Sequence, residues 1–484
     1  MIGTQAQTIA PDELQPAAEA LLAAGGRVRF AYAWSPAEGQ VEVRYVASVP
    51  DRRDFEMWVV KGVRELPSLA AVFPSLGWYE REIMDLNGLR FTDHPEPYPL
   101  VLKDSGEELV NAIPAASGRP RLPAIDAIDV QQLPFGPIRA DVVESAEFTF
   151  VYVGEHIIHY HPRLFFKHRG MESCFEGADP GRAVVTAERV SAVGSVSHAL
   201  AYCEAVERAA GCAVPVRANA LRVLLAEMER IYNHLHYLGH LCHTTTLKVG
   251  EAQGKLLEEK AKQLNARLTG SRFLRSLLVP GGLRRDLDPG EWLGDALERL
   301  REEFGTYAGK LENSESHLDR LITTGPLPHR VAFDQGATGP VARASGVDRD
   351  VRRDHPYAHY DGLPLTVPNF EDGDAYARSR VRIAEVEASF VLCQRVLLLL
   401  EPGPIRVGCK PEPNVEGFGW AEGPRGGVYY AVHVSADGRL ARVKIKSPSF
   451  SNWRAFPFTV HDTNMMDYAI NEASFGLTIA GCDR

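Results

Sequence analysis

The sequence predicts an α+β protein in which a small N-terminal α/β domain precedes a large, mainly helical domain flanked by β segments. Two patterns support this prediction. Residues 27–34 and 40–49 alternate apolar and polar side chains, as half-buried strands do. Farther along the chain, long stretches repeat apolar residues every three or four positions, which is the spacing of one buried helix face.

The first domain is predicted to span residues 1–118. After its two strands, residues 54–73 predict a helix, because their apolar positions follow helical spacing. Those positions are Phe55, Val59, Val63 and Leu66. Residues 119–130 end a stretch rich in Pro, Ala and Gly that begins near residue 112, and they are predicted to be a linker.

The second domain is predicted to span residues 131–484. It begins with strand-like segments, at 147–153 and 156–166, and strand-like segments return at 426–434 and 440–450. Between them the sequence predicts long helices over residues 197–211, 216–243, 251–278, 290–322 and 374–400. The predicted architecture is therefore a helix bundle with β segments at both ends.

Composition argues against several classes of function. The formal net charge of −10 is unlike that of nucleic-acid-binding proteins, which are usually basic. No run of 18 apolar residues occurs, and the first residues lack the basic and apolar regions of a signal peptide. We therefore expect a cytoplasmic protein that reaches a membrane only through partners. The seven cysteines form no C-x-x-C pair, which is typical of reduced thiols.

Three histidines share one face of a predicted helix. His236, His240 and His243 fall at positions i, i+4 and i+7. Such a face can bind a metal ion. No carboxylate lies close in sequence to complete a site, so a helix with polar, stacked histidines is the preferred interpretation.

Charged clusters provide further candidate site residues. His168, Arg169 and Glu172 lie within five residues of one another and suit either anion or proton handling or a solvated turn. Residues 343–355 form a charge-dense loop of the kind usually found at a surface. Arg425 lies in a turn rich in glycine and proline, which either holds the guanidinium against a cavity or is a simple hairpin. No P-loop, G-x-G-x-x-G or G-x-S-x-G motif occurs.

A series of motifs, in a fixed order along the whole chain, resembles one family. The series includes LGWYEREIMDLNGLRFTDHP, LFFKHRGMES, LLAEMERIYNHLHYLG, VARASGVDRDVRRDHPY, EGPRGG and SPSFSNW. These resemble the large subunit of formate-hydrogenlyase-type (group 4), membrane-bound [NiFe] hydrogenases. That subunit is homologous to the 30 kDa-type and 49 kDa-type peripheral-arm subunits of respiratory complex I. Residues 1–118 resemble the first of these and residues 131–484 the second.

The resemblance implies that the four thiolates of a Ni–Fe centre are absent. The aligned positions are Ser191, Gly194, Thr478 and Gly481, and the nearby Cys482 is one place away from the second pair. A hydroxyl group or a glycine cannot replace a soft bridging thiolate. We therefore expect no Ni–Fe centre and assign no metal ligand.

The resemblance also implies that a complex-I-like quinone site has lost its ligands. The tyrosine that contacts the quinone headgroup in relatives aligns with Ala192. The corresponding histidine belongs in the hairpin after FGPI, which here reads RADVVES and has none. A quinone would need a differently lined pocket. NAD chemistry would belong to another subunit, because no dinucleotide fingerprint occurs here.

Other positions of the family pattern are retained, and we take them as candidate catalytic residues. They are Arg189, His198, His168, Arg169, Glu172 and Arg425. The resemblance implies that Arg189 lies beside an iron–sulfur cluster of a partner, where a cation would favour the reduced cluster. It also implies that Arg425 overhangs the former metal cavity. A charged loop that leads toward the membrane arm in relatives is matched by Arg343, Asp350 and Asp354.

The expected function is that of a subunit in a membrane-associated, complex-I-like or hydrogenase-like oxidoreductase complex. It would pass electrons between a small iron–sulfur (20 kDa-like) partner and an acceptor such as a quinone in a remodelled interface cavity. Antiporter-like membrane subunits would hold it at the inner face of the cell membrane. The alternative is a non-catalytic structural and coupling subunit. An enclosed cavity lined by Arg189, His198 and Arg425 would favour the first function, and a cavity filled by side chains would favour the second.

Overall fold

A computed structural model describes residues 4–36, 40–62, 64–101, 129–138 and 144–484. These residues divide into two compact units. Unit 1 consists of Met1–Arg169, Asp334–Gly336 and Asp483. Unit 2 consists of Gly170–Phe333, Ala337–Cys482 and Arg484.

The described residues contain both helices and strands, which confirms the predicted α+β class. The helices are α1 (Leu14–Ala23), α2 (Gly77–Asn87), α3 (Val184–Ala187), α4 (Ser195–Ala209), α5 (Val216–Thr244), α6 (Lys248–Thr269), α7 (Gly290–Glu312), α8 (Glu315–Leu321), α9 (His329–Asp334), α10 (Pro340–Ala344), α11 (Val351–Asp354), α12 (Ala375–Leu399), α13 (Pro448–Ala455), α14 (Tyr468–Phe475) and α15 (Ile479–Asp483). The strands are β1 (Thr4–Thr8), β2 (Arg27–Trp34), β3 (Glu42–Ser48), β4 (Phe55–Lys61), β5 (Glu65–Pro67), β6 (Arg90–Thr92), β7 (Gln131–Phe135), β8 (Glu147–Val153), β9 (His156–Arg163), β10 (Leu278–Val279), β11 (Gly282–Leu283), β12 (Glu416–Gly423), β13 (Gly426–Val434), β14 (Leu440–Lys446) and β15 (Thr463–Asn464).

Unit 1 contains a four-stranded sheet in the order β1-β4-β3-β2, in which β1 and β4 are parallel and the other pairs antiparallel. The predicted strands at 27–34 and 40–49 are found as β2 and β3. The helix predicted over residues 54–73 is wrong, because this segment forms β4 and β5. β4 lies between two strands and is buried on both faces, with Phe55 and Val60 fully buried. A doubly buried strand is a nearly continuous apolar run, so it also matches helical spacing.

The end of unit 1 contains the antiparallel strands β7, β8 and β9. Here β8 and β9 correspond to the strands predicted from residues 147–153 and 156–166. Val63, most of the linker at 119–130 and most of the RADVVES hairpin lie outside the described residues. The domain boundary at residue 118 therefore stays a prediction.

Unit 2 contains the predicted bundle, with α5 packed against α6 and α12. Two predicted helices differ from the structure: one ends earlier than predicted, and the other is divided into two helices. The segment 251–278 leaves the helix at Gly270, whose φ of 71° is the left-handed conformation that ends many helices. The segment 290–322 is divided into α7 and α8 at Asn313 and Ser314, where Ser314 is extended.

Glycines allow the β12–β13–β14 sheet to lie directly on α4. A Cβ atom at Gly419 would lie 2.2 Å from the Ala201 carbonyl oxygen, and one at Gly417 would lie 2.0 Å from the Ala205 carbonyl oxygen. No side chain fits at these distances, so the strand backbone and the helix backbone are in contact. This packing brings the loop between β12 and β13 close to the beginning of α4.

Within the described ranges, every helix is too short or too polar to cross a lipid bilayer.

Candidate functional site

The four positions aligned with the lost thiolates line one small cavity in unit 2. Ser191 and Gly194 precede α4, whereas Thr478 and Gly481 lie at the start and within α15. A Cβ atom at Gly481 would lie 2.5 Å from Thr478 Oγ1 and 3.4 Å from Ser191 Oγ. Segments almost three hundred residues apart therefore meet at the place where the resemblance implies a common centre.

The cavity is narrow and is lined by hydroxyl groups. It leaves about 20 Å³ for the centre of a water molecule, which is room for about one water. The hydroxyl-bearing lining residues are Ser191, Ser197, Ser447, Ser449 and Thr478. Ser449 Oγ and Thr478 Oγ1 are 3.0 Å apart and bond to each other.

The donor atoms of this cavity do not fit a Ni–Fe centre. Neutral hydroxyl oxygens are hard ligands, and glycine has no side-chain donor, whereas nickel and iron in such a centre need soft, anionic, bridging sulfur. Cys482 is fully buried and is not among the lining residues. That the chain binds no Ni–Fe centre stays a prediction.

Two of the predicted catalytic residues, His198 and Arg425, line the cavity. His198 is buried in the first turn of α4, with its Nδ1 atom 2.9 Å from the Tyr430 hydroxyl. Arg425 lies in the two-residue loop between β12 and β13. Its Nε atom donates to the Gly476 carbonyl, and its Nη1 atom donates to Asn233 Oδ1 at 3.3 Å. The turn is thus a hairpin that also holds the guanidinium against the cavity.

Arg189 and Ala192 are not lining residues of the cavity. The Arg189 side chain is 55% exposed, and its Nη1 atom donates to the Val185 carbonyl at 3.0 Å. Ala192 begins the 3₁₀ turn Ala192–Gly194 and is exposed. The positions implied for a cluster contact and a quinone contact therefore lie at the surface.

The charged segment 168–172 is divided between the two units. In unit 1, His168 and Arg169 are exposed, and His168 Nδ1 lies 2.7 Å from the Asp483 carbonyl oxygen. In unit 2, Glu172 is buried and accepts a hydrogen bond from the Ile445 backbone at 3.1 Å. Its carboxylate also lies within 4 Å of three cationic groups, those of Arg442, Lys444 and Arg484. For Glu172 the interpretation as a solvated turn is wrong, because these cations compensate its burial.

Comparison with known proteins decides the family. The family model described as "Respiratory-chain NADH dehydrogenase, 30 Kd subunit" matches residues 7–111. The model described as "Respiratory-chain NADH dehydrogenase, 49 Kd subunit" matches residues 257–413 and 408–484. "Nickel-dependent hydrogenase" matches residues 169–271. Formate hydrogenlyase subunit 5 of Escherichia coli is 30% identical over 455 residues, which cover 89% of this chain and 79% of the relative. The chain belongs to this hydrogenase and complex I large-subunit family.

Other members of the family are similar over most of this chain. NADH-quinone oxidoreductase subunit 4 of Thermus thermophilus is 29% identical, over 74% of this chain and 94% of the relative. Among solved structures, one titled as the membrane-bound sulfane sulfur reductase, an archaeal respiratory membrane complex, matches with a TM-score of 0.69. The matched chain is 26% identical and is covered over 99% of its length, against 74% of this chain. The resemblance found in the sequence motifs is confirmed.

Sequence reasoning missed Glu229, which fixes the position of the cavity residue Ser197 by hydrogen bonds. It is fully buried on α5, and its carboxylate accepts from the backbone nitrogens of Val196 at 2.7 Å and Ser197 at 3.0 Å. The Ser197 hydroxyl donates to the same carboxylate at 2.5 Å. The first N–H groups of a helix have no partner within the helix, so a carboxylate from another helix here fixes the beginning of α4. Burial raises the pKa of Glu229.

A second feature that sequence reasoning missed is a buried ionic cluster, whose members come from four segments of unit 2. The cluster consists of Glu227, Arg230, Arg343, Asp350, Arg352, Glu385 and Glu422. Arg343 lies 2.5 Å from Glu385, 3.1 Å from Glu422 and 3.3 Å from Asp350. Arg352 lies 2.7 Å from Asp350 and bridges it to Glu227 at 3.1 Å.

The loop 343–355 is therefore not simply a surface loop. Arg343, Asp350 and Arg352 are buried, and Asp354 is half-buried. The two arginines pair with Asp350 and with carboxylates from α5, α12 and β12, which are distant in sequence. The sequence of α12 contained a sign of these buried charges. Arg378, Arg382 and Glu385 are spaced by four and three positions, so three charged residues lie on one face of the helix.

Near neutral pH the charges of the cluster cancel only when one carboxyl keeps a proton, because it contains four carboxyl groups and three guanidinium groups. His234, which lies 2.8 Å from Glu385, adds no charge there, since burial lowers its pKa to about 4. Burial would raise the pKa of Asp350, but Arg352 and Arg343 lower it to about 2. Burial likewise opposes ionisation of Glu385, but Arg343 brings its pKa well below the ordinary value. For Glu422, burial and the nearby Asp350 raise the pKa to about 7. Glu422 is thus the member that exchanges a proton near neutral pH.

The helical histidines stack along the exposed face of α5. The ring centroids of His236 and His240 are 6.4 Å apart, and those of His240 and His243 are 6.2 Å apart. His236 lies 3.1 Å from a carboxylate oxygen of Glu258, and His243 lies 3.1 Å from one of Glu251, both on α6. Across the part of the chain that the structure describes, no three His, Cys, Asp or Glu side chains are grouped as metal ligands would be.

Proposed function

We propose that the chain is a structural and coupling subunit of a membrane-associated, complex-I-like oxidoreductase complex. Membership in the hydrogenase and complex I family supports its place in such a complex. The observation that carries the non-catalytic role is the cavity. Its four former ligand positions are hydroxyl groups or glycines, and the remaining space suits about one water.

The buried ionic cluster supports the coupling role. Arg230 donates to the carbonyl oxygens of Glu422 at 2.7 Å and of Gly423 at 3.1 Å, and Gly423 lines the cavity. Charges at such distances interact strongly in a low-dielectric interior. A charge placed near the cavity would therefore shift the proton equilibrium of Glu422, and the cluster would pass this change to the loop 343–355.

The proposed partners are a small iron–sulfur subunit and antiporter-like membrane subunits. The chain would be held by them at the inner face of the cell membrane. In this proposal it binds no redox cofactor of its own. Iron–sulfur clusters, and NAD where it is used, belong to other subunits.

A second candidate function is transfer of electrons from the iron–sulfur partner to an acceptor such as a quinone. The exposure of Arg189 and Ala192 favours it, because these positions are at the surface, where a partner or an acceptor can reach them. In this case Arg189→Ala would lower the reduction potential of the partner's cluster, since a nearby cation stabilises the reduced form. An unchanged potential in redox-titrated EPR would refute this role of Arg189.

The two functions are distinguished in the purified intact complex by two substitutions at adjacent residues. Ser191→Leu places an apolar side chain in the cavity, whereas Ala192→Leu changes an exposed position that does not line it. The measurements are the nickel content of the complex and the reduction of a soluble quinone analogue by reduced viologen.

The structural role predicts no nickel above background and equal turnover in both variants and the wild type. Loss of turnover in Ala192→Leu alone would instead support an acceptor at the surface. Loss in Ser191→Leu alone, in a complex that assembles like the wild type, would indicate chemistry inside the cavity. Stoichiometric nickel bound to this chain would overturn both proposals.

A further inference from the structure

Unit 2 has an open groove between the beginning of α7 and the end of α12, with a volume of about 680 Å³. Asp288 and Glu291 line it near the beginning of α7, and Leu397, Leu398 and Leu400 line it at the end of α12. The groove is far larger than the hydroxyl-lined cavity described above, and the two share no lining residue.

The apolar side of the groove is unusually accessible. Leu398 is 78% exposed, and Leu399 next to it is also exposed. Val216, which precedes the groove residue Arg217 at the beginning of α5, is 71% exposed. Single exposed apolar residues are normal, but several exposed apolar residues in a groove, or next to its lining residues in sequence, are typical of a binding surface.

The polar side of the groove is acidic. Its lining, all within the described residues, contains the carboxyl groups of Asp286, Asp288 and Glu291 and the single guanidinium of Arg217. Arg217 pairs with Asp286, with its Nε and Nη2 atoms each 3.1 Å from Oδ1. The lining itself is thus net negative, and this favours cationic over anionic groups on this side of the groove.

We propose that this groove binds a short amphipathic segment of another polypeptide, with apolar side chains flanked by lysine or arginine. The apolar side chains would pack on the leucines at the end of α12, and the cationic side chains would face Asp288 and Glu291. This is the usual way in which an amphipathic helix is bound by a groove. The inference rests on the proposed function in one respect: the segment belongs to another subunit of the membrane-associated complex.

The test places a photo-reactive benzoylphenylalanine at position 398 of the full chain, within the native complex in its membranes. The matched control carries the same residue at position 249, because Val249 is also 78% exposed but lies on α6 and does not line the groove. We expect cross-links from position 398 to one subunit, at a peptide in which apolar residues are flanked by lysine or arginine. Position 249 should not label that peptide.

Substitutions test the charge and the apolar contact separately. In chains without the photo-reactive residue, Leu398→Asp should lower the co-purification of the subunit identified by cross-linking at least tenfold, whereas Val249→Asp should leave it unchanged. Reversing charge with Asp288→Lys and Glu291→Lys should also lower recovery, most strongly at low salt. Both residues are at the surface of the groove, and circular dichroism like that of the wild type would show that the variants fold.

Failure of the groove inference is distinguishable from failure of the proposed function. An intact complex in which position 398 labels only lipid, this chain itself or a segment without basic residues would overturn the inference alone. A chain that purifies without any membrane subunit would overturn the proposed function, and the inference would fall with it.

Discussion

Glu422 provides the sharpest test of the electrostatics of the buried cluster. Its carboxyl is fully buried, lies 3.1 Å from Arg343 and has a pKa raised to about 7 by burial and by Asp350. Glu422→Gln replaces it with a neutral group of nearly the same shape. The amide resembles the protonated acid, so we expect little cost at pH 5.

The expected effect grows with pH. Between pH 4.5 and 7 the folded protein keeps a proton on Glu422 that the unfolded chain has lost. The folded state then binds more protons, so this group makes the free energy of unfolding fall as pH rises through this range. From pH 5 to pH 8 the loss is about 2–3 kcal/mol. Glu422→Gln removes this term, so its stability relative to the wild type should rise by about that amount.

The measurement is urea-induced unfolding at pH 5 and pH 8, followed by tryptophan fluorescence. Trp420 and Trp453 are buried in unit 2 and report its unfolding. Glu298→Gln serves as the control, because Glu298 is exposed and pairs only loosely with Arg301 at 3.7 Å. If the difference between Glu422→Gln and the wild type is the same at both pH values, the charge balance inferred for the cluster is wrong.

Three further substitutions test the contacts around the site by the free energy of unfolding in urea. Glu229→Gln keeps one acceptor oxygen but leaves an N–H group at the beginning of α4 without its partner, so we expect a loss of about 1–3 kcal/mol; an unchanged midpoint would contradict the capping role. Arg343→Met leaves three buried carboxyl groups without their common cation, and the expected loss is about 3–5 kcal/mol; a neutral effect would mean that the cluster is not held together by this residue. Gly419→Ala places a methyl group 2.2 Å from the Ala201 carbonyl oxygen and should cost about 1–3 kcal/mol or more. The paired control Gly309→Ala, in an open part of α7, should instead stabilise by up to about 1 kcal/mol.

Where the sequence prediction succeeded, the signal was local. The stripe of apolar residues in α5 and the alternation in β2 and β3 each reflect one buried face, which periodicity reveals directly. The prediction failed at β4, because a strand buried on both faces has no polar alternation. It also made the helix at 251–278 too long, since apolar spacing continues past Gly270 although the backbone turns there.

For the site, the sequence identified the missing ligands but not their replacement. Ser191, Gly194, Thr478 and Gly481 were found by motif, and the fold brings them to one cavity. Neither Glu229 nor two of the partners of Arg343, Glu385 and Glu422, could be found in this way. Their contacts join residues 32 or more positions apart, and the sequence by itself gives no pairing for a charged side chain.

The sequence by itself determined the α+β class, the long helices of the bundle, the family and the absence of cysteine at four positions, because each depends on residue identity and local spacing. Only the tertiary structure decided that those positions enclose space for about one water, and that charges expected at the surface are buried. The physical reason is that burial and electrostatic pairing depend on which distant segments pack together. A charged loop has the same sequence pattern whether water or other ions surround it.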